Sequence, residues 1–210
     1  MAEYQNGIIG IYHTNLDNGQ NTSISEEYFM FNGKLEGESK KYYNGELAVL
    51  CNYKNGKREG EYKEYYDNGQ LSEICNYKDN KVEGEDKHYY ESGKLFAICN
   101  YKNNKREGGY KSYYNNGFLK EEYSCKDGKK DGEHKLYYYN QYLSQKNNYK
   151  NGMKNGECIE YNDNGHIKSI YYYDNGQIKS ICNYDYGQIK SVSNYADGKI
   201  ISKWRNYNKK

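Results

Sequence analysis

Six cysteines, four histidines, thirty tyrosines and a regular series of lysines carry whatever chemistry this 210-residue chain can perform. Cys51, Cys75 and Cys99 lie 24 residues apart, which puts them at one position of a repeating unit. If each repeat adds two strands, equivalent cysteines stand about 9.6 Å apart, beyond the roughly 7 Å that a disulfide spans. No CxxC pair offers zinc spacing, and six reduced thiols fit a reducing, cytoplasmic compartment. His13, His88, His134 and His166 fall at different positions of the repeat, and no two have metal-ligand spacing, so they are expected at the surface. Phosphate-binding GxxxxGK[ST] and GxGxxG patterns and the GxSxG nucleophile pattern are missing from the sequence. The expectation is therefore no catalytic residue, no metal and no cofactor: not an enzyme, with cysteine as small packing filler.

Two residue series could instead bind. Lys54, Lys78 and Lys102, continued by Lys126 and Lys150, should form a basic row that phosphates or lipid headgroups would meet. Glu59, Glu83, Glu107 and Asp131 share the period, and the plainer expectation is a solvated edge whose charges pair with one another. Tyr66, Tyr90 and Tyr114 recur in the same way. They could dock a protein, or stack sugars or bases, and cross-strand Tyr–Tyr packing is the structural alternative. A net charge of +2 gives no general pull toward nucleic acid.

The elements that must carry these rows are strands. Proline is absent, 22 glycines recur too often for a helix to propagate, and mean hydropathy is −1.29. Tyrosine packs its ring while its hydroxyl stays wet, so an ordered protein without a thick dry core is expected. The clearest repeat is GEYKEYYDNGQLSEICNYKDNKVE, Gly60–Glu83, followed by 84–107, 108–131 and 132–155; 37–59 is one residue short. One turn per repeat is signalled at Gly45, Gly69, Gly93 and Gly117, and a second at Gly56, Asn80, Asn104, Gly128 and Gly152. An earlier, looser copy carries its turn signal at Asp17–Gln20. After Gly165 the turn spacing becomes 11, at Gly176, Gly187 and Gly198. The fold expected is all-β, an elongated single-layer antiparallel meander of repeated β-hairpins. Its organisation is an irregular N-terminal cap and degenerate repeat over 1–36, about five repeats over 37–164, and half-repeats with a cap over 165–210. Met1–Gly10 has no basic region leading into an apolar stretch, so no signal peptide is expected.

The stretch YKNGKREGEYKEYYDNGQL, Tyr53–Leu71, resembles the variant form of the MORN repeat, and the match recurs at Tyr77–Leu95, Tyr101–Leu119 and Tyr149–Ile167. Gln141 departs from the pattern where a turn glycine is expected, and Cys125 where a tyrosine is. The resemblance extends to YwqK-like antitoxin components of toxin–antitoxin systems. It implies a β-hairpin array and protein–protein contacts, with a toxin as one candidate partner, and it supplies no catalytic residues. The leading reading is a non-enzymatic scaffold docking a protein through Tyr66, Tyr90 and Tyr114. Alternatives are membrane or phosphoinositide attachment through Lys54, Lys78 and Lys102, and carbohydrate binding on the tyrosines.

Overall fold

A computed structural model describes the backbone of residues 7–17 and 20–206 and the side chains of residues 25–206. Of the Asp17–Gln20 turn read from the sequence, Asn18 and Gly19 lie outside the described residues, as does the His13 side chain. The chain divides into two compact units, Met1–Lys105 and Arg106–Lys210. The first holds β1 (Gly7–Asp17), β2 (Gln20–Phe31), β3 (Lys34–Tyr43), β4 (Glu46–Lys54), β5 (Lys57–Tyr65), β6 (Leu71–Lys78), β7 (Lys81–Val82), β8 (Gly84–Tyr89) and β9 (Leu95–Lys102). The second holds β10 (Lys105–Tyr113), β11 (Leu119–Lys126), β12 (Lys129–Tyr137), β13 (Leu143–Lys150), β14 (Met153–Lys154), β15 (Gly156–Tyr161), β16 (Ile167–Asp174), β17 (Gln177–Asp185), β18 (Gln188–Ala196) and β19 (Lys199–Arg205). Within each unit, strands pair antiparallel with their sequence neighbours as an open meander of hairpins. The described residues contain no helix, hence none long and apolar enough to cross a membrane.

Two turn types alternate. Asn55–Gly56 and Asp79–Asn80 are two-residue loops with both φ positive, the geometry that matches strand twist. The other turn spans three residues: at Asp67–Gly69, Tyr66 N–H bonds Gln70 C=O and Gly69 N–H bonds Tyr66 C=O, both at 2.8 Å. Gly69 sits at φ +77°, the left-handed residue that closes this loop. The Gly45 turn differs from its expected equivalents: it is a two-residue Asn44–Gly45 loop, because that repeat lacks one residue. Gln141 holds φ +71° and keeps the three-residue turn where glycine was expected. Register also overrides local sequence, since Asp163-Asn164-Gly165 forms the three-residue loop whereas in Asp174-Asn175-Gly176 only Asn175 and Gly176 form the loop.

In each unit the core is a thin row of side chains on one face of the strands. Cys51, Tyr62 and Cys75 are adjacent in the ladder and buried, with Tyr53, Tyr77 and Val82 packed around them. In the second unit Tyr110 stacks on Tyr123 at 4.4 Å, and Tyr123 accepts a hydrogen bond from Arg106 at 3.0 Å. Tyrosine thus fills the core while its hydroxyl finds a polar partner, as the composition demands. All six cysteines are free thiols.

Gly69→Val should cost about 1–3 kcal/mol by forcing a β-branched residue into positive φ. A Cβ there would meet nothing within 4 Å, so the penalty is backbone strain alone. Gln141→Gly should gain about 1–2 kcal/mol by relieving the same strain. Thermal melts check both, with Gln70→Val as the near-neutral control; equal small effects at positions 69 and 70 would remove the left-handed assignment.

Candidate interaction surfaces and a buried polar cluster

The acid–glycine pairs explain the geometry on which every candidate surface is built. Between β4 and β5 the ladder shifts register, with Tyr53 opposite Arg58 and Cys51 opposite Tyr62. Gly60, at φ +85°, permits that bulge. The bulge leaves Arg58 C=O and the Glu59 carboxylate facing the next two-residue turn. Asp79 N–H donates to Glu59 Oε2 at 2.9 Å and Asn80 N–H to Arg58 C=O at 3.0 Å. The same capture links Asn55 to Glu36, Asn103 to Glu83, Asp127 to Glu107, Asn151 to Asp131 and Asn175 to Asn155, at 2.7–3.2 Å. Glu59, Glu83, Glu107 and Asp131 were expected to pair with the lysine row; they accept backbone amides instead, and among the described residues no ion pair joins them to it. Lys54, Lys78 and Lys102 are exposed immediately before each turn.

The tyrosines expected to face a partner are half-buried. Tyr66 Oη donates to Tyr89 C=O at 2.6 Å, and Tyr114 Oη to Tyr137 C=O at 2.7 Å, one repeat further on. Tyr90 packs edge-on against Phe96 at 5.1 Å, and Tyr114 against Tyr139 at 5.3 Å. These rings tie hairpin to hairpin.

The interior row carries polar groups that single-residue reasoning missed. His134, expected at the surface, is 5% exposed because it occupies the repeat position that Tyr62 and Cys158 fill. Its Nε2 lies 2.8 Å from Glu121 Oε1, which also pairs with Lys130 at 3.3 Å. The hydrogen bond from His134 and the Lys130 charge hold the Glu121 carboxyl below its ordinary range. In the first unit, Asp86 takes the position of Tyr62 and is 4% exposed. Its Oδ2 lies 3.0 Å from His88 Nε2 and 3.6 Å from Cys99 Sγ. Cys75 Sγ lies 3.6 Å from Glu73 Oε1, and burial with the neighbouring carboxylates pushes that thiol up to about 12. Burial likewise raises Glu73. Aligning the repeats would have exposed both substitutions, since Asp86 and His134 stand where tyrosine or cysteine stands elsewhere. His88 is half-buried beside Asp86, and His166 is exposed as expected.

Toward the end of the second unit the interior row changes to small polar residues. Ser169, Asn183 and Ser191 form a hydrogen-bonded chain at 2.9–3.0 Å. Where serine and asparagine replace the larger interior side chains, a groove of about 690 Å³ opens. Lys168, Lys190, Lys203 and Arg205 line it above Tyr195 and Ile200. Lys168 pairs with Glu160 and Lys190 with Asp185, while among the described residues Lys203 and Arg205 make no ion pair. Ile200, Ile201 and Trp204 are more than half exposed on the same strand.

The MORN repeat variant family matches the chain at residues 58–79, 82–103, 154–174 and 166–186. These segments cover the bulge glycines Gly60, Gly84 and Gly156 and the captured amides of Asp79, Asn103 and Asn175. The last two matches overlap, as expected where the repeat shortens. Residues 104–153 carry the same amide capture at Asp127 and Asn151. No curated protein matches the chain.

Glu59→Ala, Glu83→Ala and Glu107→Ala should each lower stability by about 1 kcal/mol, the net worth of a hydrogen bond. Lys54, Lys78 and Lys102 replaced together by glutamine should change it by less than about 0.5 kcal/mol, as exposed side chains without partners do. Urea melts of the two sets check this; a larger loss from the lysines would restore the ion-paired edge.

Proposed function

We propose that this array of MORN-type repeat variants is a non-enzymatic cytoplasmic scaffold, and that the groove along β18 and β19 docks an extended acidic segment of a protein partner. Repeats of this type are generally protein- or membrane-interaction modules. The observation that carries the reading is the groove itself: two uncompensated cations, Lys203 and Arg205, beside the apolar side chains of Ile181 and Ile200 that line it with them. Cationic rims raise on-rate and select acidic partners, while apolar residues supply the burial that holds them. An extended segment suits the site because a strand-lined groove accepts chain in strand conformation. The six free thiols are compatible with a reducing compartment. An antitoxin-like role is the narrowest form of this reading, with a toxin supplying the acidic segment.

One observation favours a second reading. Lys54, Lys78 and Lys102 are exposed and without ion pairs among the described residues, which is what attachment to an anionic membrane requires. Sugar stacking on Tyr66 and Tyr114 loses support, since their hydroxyls are held within the sheet.

Binding of a fluorescein-labelled peptide alternating glutamate and valine, followed by anisotropy, separates these readings from each other. The double variant Lys203→Glu/Arg205→Glu should weaken it by about tenfold or more, and the triple glutamine variant at Lys54, Lys78 and Lys102 should leave it unchanged. Sedimentation with phosphatidylserine–phosphoinositide vesicles is the second arm. Vesicle binding abolished by the lysine triple, with no peptide binding by the native chain, would replace the docking reading by the membrane one.

A further inference from the structure

We propose that the interior face across β6, β8 and β9 holds one divalent transition-metal ion of the zinc class, bound by Glu73, Cys75 and Asp86 with His88 as the fourth ligand. Ligand atoms of Glu73, Cys75 and Asp86 lie within 4.8 Å of one another, close enough for one ion to gather them with small side-chain rotations. His88 Nε2 is 3.0 Å from Asp86 Oδ2, and its Nδ1 lies 3.9 Å from Glu73 Oε2. Cys99 Sγ, 3.6 Å from Asp86, places a second thiol at the margin. Thiolate, imidazole and carboxylate together are the donor set of a tetrahedral zinc-type centre, not of calcium or magnesium.

A second, independent observation points to a ligand. Asp86 is 4% exposed, yet its Oδ1 has no hydrogen-bond partner. A buried carboxylate oxygen left bare is costly, and the fold has an obvious cheaper solution, because Tyr62 fills the same position one repeat earlier. The second unit shows how an acid on the interior face is satisfied without a metal: the half-buried Glu121 is met by both Lys130 and His134. Among the described residues nothing hydrogen-bonds Asp86 Oδ1. Ala97, two residues from Cys99 and opposite His88, is small and buried where the neighbouring repeats place Glu73 and Glu121, so this position adds no further acid to the cluster. The ligands lie on neighbouring strands and come together only through the ladder, so no linear spacing motif announces them.

The test uses the reduced, chelator-stripped full chain titrated with Co²⁺. One equivalent per chain should give visible ligand-field bands together with a near-ultraviolet thiolate-to-cobalt band, and Zn²⁺ should displace both. Cys75→Ser should abolish the thiolate band and weaken binding by about 100-fold, and Asp86→Asn by about tenfold or more. Cys51→Ser, at the equivalent position of the preceding repeat, should bind as the native chain does. Zn²⁺ should raise the melting temperature of the native chain and not that of Cys75→Ser. If Cys75→Ser does not fold, His88→Gln takes its place and should weaken Co²⁺ binding at least tenfold. Absence of the thiolate band in the native chain, or equal losses in Cys51→Ser and Cys75→Ser, would overturn the proposal.

Discussion

A two-residue hairpin loop presents backbone N–H groups that its own hairpin does not satisfy, and in this chain the preceding hairpin accepts them. Asp79 and Asn80 donate to Glu59 and to Arg58 C=O. Asn103 and Asn104 donate in the same way to Glu83 and Val82 C=O. The acceptors are available only because glycine at positive φ bulges the strand there. The constraint therefore acts between hairpins: it fixes how each turn folds down on its predecessor, and it sets a period, since turn and acceptor must recur together. At the last such bulge Asn155 stands in for the acid and still captures the Asn175 amide, and beyond it the capture stops. The Tyr186–Gly187 and Asp197–Gly198 turns show no such bonds among the described residues, and Tyr186 is 99% exposed.

With the spacing fixed by the turns, the interior positions are free to vary in chemistry. The same repeat position holds Tyr62, Asp86, Tyr110, His134 and Cys158, on β5, β8, β10, β12 and β15. Filled with tyrosine and cysteine, the row is a thin core. Filled with Asp86, it exposes a carboxylate oxygen to a cluster of Cys75, Glu73 and His88. Filled with serine and asparagine, it opens into the cationic groove of the last strands. A repeat array stabilised by nearest-neighbour contacts tolerates such local changes because each repeat leans only on the next.

Much of this was legible in the sequence. Asn-Gly and Asp-Asn dipeptides at a 24-residue period located the turns, and the segments between successive turns were read as strands. The roles of the side chains were harder. Glu59 and Lys54 share a period and opposite charge, which suggests an ion pair, but the bulge at Gly60 turns the carboxylate toward a backbone amide. Tyr66 looked available for binding, yet its position just beyond the end of β5 sends its hydroxyl to Tyr89 of the next repeat. The single-residue deletion before Gly45 changed a turn type that the motif alone left open. His134 and Asp86 were missed because burial here depends on ladder position, and a polar residue inherits the depth of the tyrosine it replaces.

The central claim is that each turn is held by the hairpin before it, and native-state amide hydrogen exchange tests it most directly. Asp79, Asn80, Asn103, Asn104, Asp127 and Gly128 sit at exposed turns, where free amides exchange rapidly. They should be protected to a degree approaching that of neighbouring strand amides, while Tyr186 and Gly187 exchange at the rate of an open turn. Equal, fast exchange in both sets would contradict the account.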